Sequence, residues 1–120
     1  MRLIKLLKSK IHHARVSYAN SDYVGSIELD AEVMRRVNLR EGEYVAVWNV
    51  DNGERFETYV FKGGKGVVGV NGAAARKVNV GDKLIIAAFS WTDEDITPHV
   101  VLLDENNEVL KDMTPFTTHG

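Results

Sequence analysis

The chain has 120 residues, of which 44% are hydrophobic and 27% are charged, and its formal net charge is −2 at pH 7. These proportions are typical of a soluble globular protein with one domain, which we predict to span residues 1–120. The nearly balanced charge gives no reason to expect nucleic acid or a membrane as a partner. Because the chain has no cysteine, disulfides, thiolate nucleophiles and cysteine-bound metal clusters are excluded.

The opening segment MRLIKLLKSK is charged and lacks the long apolar run and small-residue cleavage site of a secretory signal. No segment approaches the roughly 20 apolar residues that are needed to cross a bilayer. We therefore predict a cytoplasmic protein.

Short runs of alternating or β-branched residues, bounded by glycine, asparagine and aspartate, dominate the chain. They predict six strands, at residues 14–19, 43–50, 55–61, 66–70, 83–91 and 99–104. The turn signal Asp51-Asn52-Gly53 predicts a hairpin over residues 43–61.

Two segments have helical patterns. The segment DAEVMRRVNL (30–39) is predicted to be a helix because Asp30 can cap it and Val33, Met34 and Val37 share one face. The segment NGAAARKV (71–78) predicts one further helical turn after a glycine bend. Residues 105–120, which have no clear pattern from Lys111 onward, are predicted to form a loosely ordered tail.

The segments RVNLREGEYVAVWN (36–49) and KVNVGDKLIIAAFS (77–90) resemble each other. Each runs from Val-Asn-hydrophobic through Gly-acidic to a hydrophobic strand. Chance could produce such a match in a strand-rich chain. The alternative is a pseudo-symmetric β-barrel built from duplicated halves, whose closure would remove exposed strand edges.

Conventional active-site motifs are absent from the sequence. His12 and His13 are adjacent and would point to opposite faces of a strand, so they do not predict a metal site. The segment KGGKG (62–66) follows no strand-to-helix pattern and is interpreted as a hairpin loop rather than a phosphate loop. There is no serine hydrolase elbow.

The segment DYVGSIELD (22–30) is strand-like but is interrupted at Gly25-Ser26. A turn or bulge explains such a pair most simply. The alternative is a bond that cleaves itself: the serine hydroxyl attacks the preceding carbonyl, the peptide becomes an ester, and elimination and hydrolysis leave a pyruvoyl group. Glycine favours this chemistry because it has no Cβ and leaves its carbonyl open to attack.

Three blocks of sequence favour the self-cleaving bond over the turn. The segments KSKIHHARVSYANSDYVGSIELD (8–30), VWNVDNGERFETYV (47–60) and VGVNGAAARKVNVGDKLIIAAFS (68–90) resemble the characteristic blocks of pyruvoyl-dependent aspartate 1-decarboxylases, in the same order and spacing. The resemblance covers roughly residues 1–104. It implies a small six-stranded double-psi β-barrel with short helices, in agreement with duplicated halves, and a homotetramer with active sites between subunits.

The resemblance implies cleavage between Gly25 and Ser26, with Ser26 as the precursor of a covalent pyruvoyl cofactor. This group would form a Schiff base with L-aspartate, which would lose CO2 to give β-alanine for pantothenate biosynthesis. Arg55 and Lys10 match residues that bind the substrate carboxylate, a role that suits fixed cations. Val24 stands where well-known members of the family often carry glutamate.

The remaining roles are also carried over by resemblance. Thr58 would stabilise the oxyanion during cleavage, and Tyr59 would donate the proton to the decarboxylated carbon. Thr58 and Tyr59 are strand neighbours, so their side chains should diverge. The other residues expected near the substrate are His12, Tyr23, Asn71, Gly72, Ala73 and Ala74.

Two alternatives stay open at the level of sequence. The first is a non-catalytic, uncleaved barrel that binds a small ligand or a protein. The second is a cleaved pyruvoyl enzyme for another amino acid, because only Arg55 and Lys10 indicate a dicarboxylate. Retention of all the matched residues favours the decarboxylase over the binding module.

Overall fold

The computed structural model describes residues 1–114, which form nine strands, one α-helix and one 3-10 helix. The strands are β1 (Ile4–Arg15), β2 (Tyr18–Asn20), β3 (Ser26–Asp30), β4 (Tyr44–Asn49), β5 (Arg55–Gly63), β6 (Val68–Asn71), β7 (Lys83–Thr92), β8 (His99–Leu103) and β9 (Val109–Asp112). The helix α1 spans Ala31–Arg36, and the 3-10 helix spans Gly72–Lys77. The prediction of a mainly β chain with short helices is therefore confirmed.

All nine strands are joined in one sheet of order β2-β6-β3-β5-β4-β7-β1-β8-β9. The strands β4 and β7, which end the two similar segments, pair antiparallel, with Ala46 opposite Ala87. The hydrophobic core is made mostly of valine, isoleucine and leucine. Its largest fully buried side chains include Ile11, Ile27, Leu29, Met34, Leu84 and Ile86.

The structure has three strands more than the predicted six, because β3 and β9 were not predicted and the strand predicted over residues 14–19 is divided between the end of β1 and β2. We predicted a strand only over residues 14–19, whereas β1 begins at Ile4. The strand conformation is interrupted between Arg15, where β1 ends, and Tyr18, where β2 begins. Register shifts lie between Leu7 and Ser9 and between His12 and Ala14. Each shift reverses the inward and outward alternation of side chains, so the strand has no continuous period of two in the sequence.

The two helices were predicted correctly. The Asp30 carboxylate caps α1 by accepting the backbone N–H of Glu32 at 2.8 Å and that of Val33 at 3.4 Å. The helix is shorter than predicted because Asn38 adopts a left-handed φ of 61°.

The tail prediction was wrong for residues 105–112. Residues 109–112 form β9, which pairs with β8. The turn before it is anchored by Asn107, which is 3% exposed. Its amide side chain accepts from the Arg15 backbone N–H at 2.7 Å and donates to the Arg15 and Gly66 carbonyl oxygens at 2.9 and 3.0 Å. Residues 115–120 of the predicted tail lie outside the described residues.

Candidate active site

Gly25 is the last loop residue before β3, and Ser26 is the first residue of that strand. Ser26 is 9% exposed, and it pairs antiparallel with Asn71 at the end of β6. The Asn71 Nδ2 atom lies 3.4 Å from Ser26 Oγ. The strand pairing therefore brings an amide donor to the hydroxyl that would attack the Gly25 carbonyl.

The backbone of Gly72 packs closely against the loop that contains Gly25. Gly72 has φ +76°, and a Cβ at this position would lie 2.5 Å from Gly25 Cα and 2.8 Å from Gly25 N. Only glycine fits both the left-handed conformation and this contact. Gly25 itself does not have a left-handed φ, so the special backbone conformation belongs to its neighbour and not to the residue of the scissile bond.

Asn71 is 2% exposed and has an unusual hydrogen-bonding state. Its Nδ2 atom is 3.0 Å from the Tyr18 hydroxyl, whereas its Oδ1 atom is buried and has no partner among the described residues. A buried acceptor without a partner is costly, so this atom calls for a specific explanation such as a bound water or a ligand.

A surface cleft of about 420 Å³ opens over the Gly25–Ser26 bond. Tyr59 and Ser26 both line it, and Tyr59 is 39% exposed. The strands β3 and β5 run parallel with Ile27 opposite Val60, so the same register continued by one residue puts Ser26 beside Tyr59. The other lining residues are Val24, Gly25, Glu28, Phe61 and Lys62.

Thr58 and Tyr59 lie on opposite faces of β5, as their adjacency predicted. Thr58 is 9% exposed and faces inward, whereas Tyr59 faces the cleft. Tyr59 therefore lies at the cleft with Ser26, whereas Thr58 points into the interior.

The description of the matching family is "Aspartate decarboxylase", and the match spans residues 2–110. The chain belongs to this family. It is 52% identical over 115 residues to the aspartate 1-decarboxylase of Caldicellulosiruptor saccharolyticus, an alignment that covers 91% of this chain and 90% of the relative. It is 50% identical over 111 residues to the aspartate 1-decarboxylase of Coprothermobacter proteolyticus, covering 89% and 92% of the two chains.

A similar solved structure supports the assignment of the fold as a barrel. The computationally designed protein msDPBB_sym2 matches with a TM-score of 0.50 and 25% identity, covering 69% of this chain and 96% of that one. The name of the designed protein denotes a double-psi β-barrel. The predicted fold class of this family member is therefore confirmed.

Three predicted site residues do not lie with Ser26 in the single chain. Lys10 and His12 are on β1, and β5, β4 and β7 separate that strand from β3 in the sheet. Arg55 is at the start of β5, four residues from Tyr59, which corresponds to about 13 Å along a strand. Its guanidinium stacks on the Trp48 ring, 4.8 Å from the centroid.

His12 and His13 do not point to opposite faces, because the register shift after His12 turns the backbone. His13 has φ 65°, and the two rings stack with their centroids 3.9 Å apart. Burial, followed by the charges of His13 and Lys10, lowers the pKa of His12. Burial also lowers the pKa of His13, with a further contribution from Lys83. Within residues 1–114, no cluster of three His, Asp or Glu side chains could hold a metal ion.

The remaining predicted residues lie around the bond or on the 3-10 helix. Tyr23 is 61% exposed, and its carbonyl oxygen would be 3.2 Å from a Cβ at Gly72. Ala73 and Ala74 follow Gly72 in the first turn of the 3-10 helix. Val24 is exposed at the edge of the cleft.

The sequence analysis missed Tyr18, Glu28, Phe61 and Lys62 near Ser26, and Trp48 beside Arg55. Tyr18 and Glu28 carry no motif, and no local pattern could have identified them. Trp48 could have been found, because the hairpin register set by Asp51-Asn52-Gly53 puts it directly opposite Arg55.

No helix in the part of the chain that the structure describes has the length and apolar character of a membrane span.

Proposed function

We propose that this chain cleaves itself between Gly25 and Ser26 and then decarboxylates L-aspartate to β-alanine and CO2, a reaction that feeds pantothenate biosynthesis. One observation carries the proposal: a nearly buried serine hydroxyl lies beside the Asn71 amide, next to a Gly25 backbone that is held by Gly72. A turn that served only to connect two strands would need neither contact. Membership of the aspartate decarboxylase family supports the same conclusion.

The cleavage reaction needs only the chain itself and water. Ser26 Oγ adds to the Gly25 carbonyl carbon, the C–N bond breaks, and the Ser26 nitrogen takes the hydroxyl proton. The resulting ester loses the Ser26 Cα proton, and the Cβ–Oγ bond breaks to release Gly25 as a carboxylate. The dehydroalanine that remains takes up a proton at Cβ to become an imine with a methyl group. Water then replaces the nitrogen, which leaves as ammonia, and Ser26 becomes a pyruvoyl group.

The residues around Ser26 fit this prosthetic group. The Asn71 Nδ2 group, 3.4 Å from Ser26 Oγ, is a donor from which a ketone oxygen at this position can accept, and the missing Cβ of Gly72 leaves room for the Gly25 backbone. When formed, the group supplies a ketone that binds the substrate amine and accepts the electrons released with CO2. The hydroxyl of Tyr59 faces the cleft, where it can donate a proton to the substrate carbon. Thr58 can stabilise the oxyanion that develops on Gly25 during cleavage.

A second copy of the chain would complete the site. Lys10, His12 and Arg55 are separated from Ser26 within one chain, yet a dicarboxylate needs cations. The cleft is lined by three exposed apolar or aromatic side chains that a partner subunit could cover, namely Val24, Tyr59 and Phe61. We therefore propose a homotetramer of processed chains, each formed by one domain over residues 1–120, acting in the cytoplasm.

Intact-mass measurement of the purified protein tests the proposal. We expect two chains, one ending at Gly25 and one beginning at a residue that lacks an amine and reacts with hydrazine. Ser26→Ala is the matched control, because it removes only Oγ, and it should give a single full-length mass and no β-alanine from L-aspartate. A wild-type chain that stays intact after prolonged incubation would favour the uncleaved binding module. Cleavage without aspartate turnover would favour another amino acid, and assays with L-glutamate would test that case directly.

A further inference from the structure

Tyr18 reaches the candidate site from β2, a strand of three residues that pairs in parallel with β6. Tyr18 is opposite Gly69 in this pairing, and a Cβ at Gly69 would lie 2.0 Å from Tyr18 Cε2. The ring therefore occupies the space that any other side chain at position 69 would need. Asn71 is two residues further along β6 and on the same face, so the ring over Gly69 brings its hydroxyl to the Asn71 amide.

The hydrogen bonds of the Tyr18 hydroxyl decide which way the Asn71 amide faces. A tyrosine hydroxyl has one proton to donate, and Glu28, which pairs with the same Gly69 from the other side of β6, carries a nearby carboxylate that can only accept. The Tyr18 oxygen then presents a lone pair to Asn71, and Nδ2 is the atom that can donate to it, at 3.0 Å. If the Asn71 side-chain amide were rotated by 180°, its acceptor Oδ1 would face that lone pair and no hydrogen bond could form.

The same Nδ2 group lies 3.4 Å from Ser26 Oγ. Its remaining N–H can hydrogen-bond the serine oxygen and stabilise the negative charge that develops as the hydroxyl proton leaves. The Asn71 Nδ2 atom therefore bridges the Tyr18 and Ser26 oxygens, with the Glu28 charge near Tyr18. Burial raises the pKa of Tyr18, the Asn71 hydrogen bond lowers it and Glu28 raises it; the net shift is upward, so the hydroxyl keeps its proton at neutral pH.

We propose that Tyr18 is a positioning residue for cleavage of the Gly25–Ser26 bond, which it promotes by holding the Asn71 amide with its N–H group toward Ser26. This inference rests on the proposed function. Without the Tyr18 hydroxyl, the amide is free to turn its Oδ1 atom toward Ser26. The serine would then donate its proton to Oδ1 and lose the donor that stabilises its developing charge.

The test follows cleavage itself rather than turnover. Full-length chain is made in a short cell-free pulse, and loss of the uncleaved mass is followed by mass spectrometry during the chase. Tyr18→Phe keeps the ring over Gly69 and removes only the hydroxyl, and we expect it to slow cleavage roughly tenfold, the effect of about one hydrogen bond. Tyr44→Phe is the matched control, since it removes a hydroxyl from an exposed tyrosine outside this network, and it should cleave at the wild-type rate.

A double-mutant cycle separates positioning from a general structural effect. Asn71→Ala alone should slow cleavage, and Tyr18→Phe should add nothing in that background. Glu28→Ala should resemble Tyr18→Phe, whereas Glu28→Gln keeps an acceptor and should restore most of the rate. The melting temperature of Tyr18→Phe is compared with that of the parent in an uncleavable Ser26→Ala background, where the two should agree.

The outcomes are distinguishable. A Tyr18→Phe chain that cleaves at the wild-type rate, or that slows cleavage equally with and without Asn71, overturns the role of Tyr18 and leaves the proposed function intact. A wild-type chain that never cleaves overturns both. If Tyr18→Phe lowers the melting temperature in the uncleavable background, the Glu28→Ala and Glu28→Gln pair decides the question without altering the ring.

Discussion

Gly72 lies against Gly25 so closely that a Cβ on Gly72 would be 2.5 Å from the Gly25 Cα. The junction between β6 and the 3-10 helix thus determines the backbone conformation at the candidate cleavage bond, although the two positions are far apart in the sequence. Changes at Gly72 should therefore affect cleavage as well as stability.

Gly72→Ala should destabilise the chain by more than the roughly 1–2 kcal/mol that a left-handed alanine costs, because its Cβ would also displace Gly25. Gly53→Ala is the control: Gly53 has φ +77° and no atom would lie within 4 Å of a Cβ at that position, so only the conformational cost applies. Urea unfolding in the Ser26→Ala background measures both variants. With Ser26 present, only Gly72→Ala should slow cleavage, and equal effects of the two variants would contradict the role of the Gly25 contact.

Thr58 and Tyr59 should have separable functions because they face opposite sides of β5. Thr58→Val keeps the shape of the side chain and removes the hydroxyl, and we expect cleavage about 100-fold slower. Tyr59→Phe should cleave normally, and the processed protein should decarboxylate L-aspartate about 100-fold more slowly. Mass spectrometry and a β-alanine assay measure the two steps. A Tyr59→Phe chain that fails to cleave would argue against this division.

Arg55 should act on the Ser26 of another subunit, because the two residues are far apart in one chain. Ser26→Ala and Arg55→Ala are each expected to be inactive or weak at low aspartate concentration. Co-expressed at equal levels, they should recover activity at roughly a quarter of the sites by random mixing of subunits. Co-expression of two Ser26→Ala chains with different tags is the control. No recovery in mixed oligomers would mean that Arg55 and Ser26 act within one chain.

The stacked pair His12 and His13 should make stability depend on pH. Burial lowers the pKa of both groups in the folded chain, so below about pH 6.5 the unfolded chain binds more protons than the folded one. Stability should therefore fall as the pH is lowered through 6.5, and it should be fully present above that value.

His13→Asn is the variant that tests this pH effect, since asparagine tolerates the left-handed φ of 65° at this position. Melting temperatures at pH 7.5 and 5.5 should differ less for His13→Asn than for the wild type. An equal difference in the two proteins would mean that carboxylates, not these histidines, set the acid sensitivity in this range.

Local patterns were enough to predict most elements of the fold. Strand β5 and the hairpin with β4 follow from alternation and from Asp51-Asn52-Gly53, and helix α1 follows from Asp30 and the apolar face behind it. These signals depend on residues a few positions apart, so they can be recognised in the sequence alone. Strand β1 was mostly missed because its two register shifts interrupt the alternation on which such a prediction depends.

The site residues likewise divide into those that the sequence predicted and those that only the structure revealed. Gly25, Ser26, Thr58, Tyr59 and Asn71 were predicted because three blocks of sequence match the family, and the structure brings Ser26 to Asn71 and to Tyr59. The Tyr18 contact could not be predicted. It requires β2 to pair with β6 and a glycine at position 69 to leave room for the ring, and neither condition is visible near Tyr18 in the sequence.

The sequence by itself determined the class of fold, the family and the bond that is expected to break, because each depends on residue types in a fixed local order. Only the tertiary structure decided how that bond is held. The contacts of Gly72 with Gly25 and of Tyr18 with Asn71 join distant segments of the chain, and such contacts exist only once the strands have paired. Strand pairing depends on the packing of the whole sheet, which no single segment specifies.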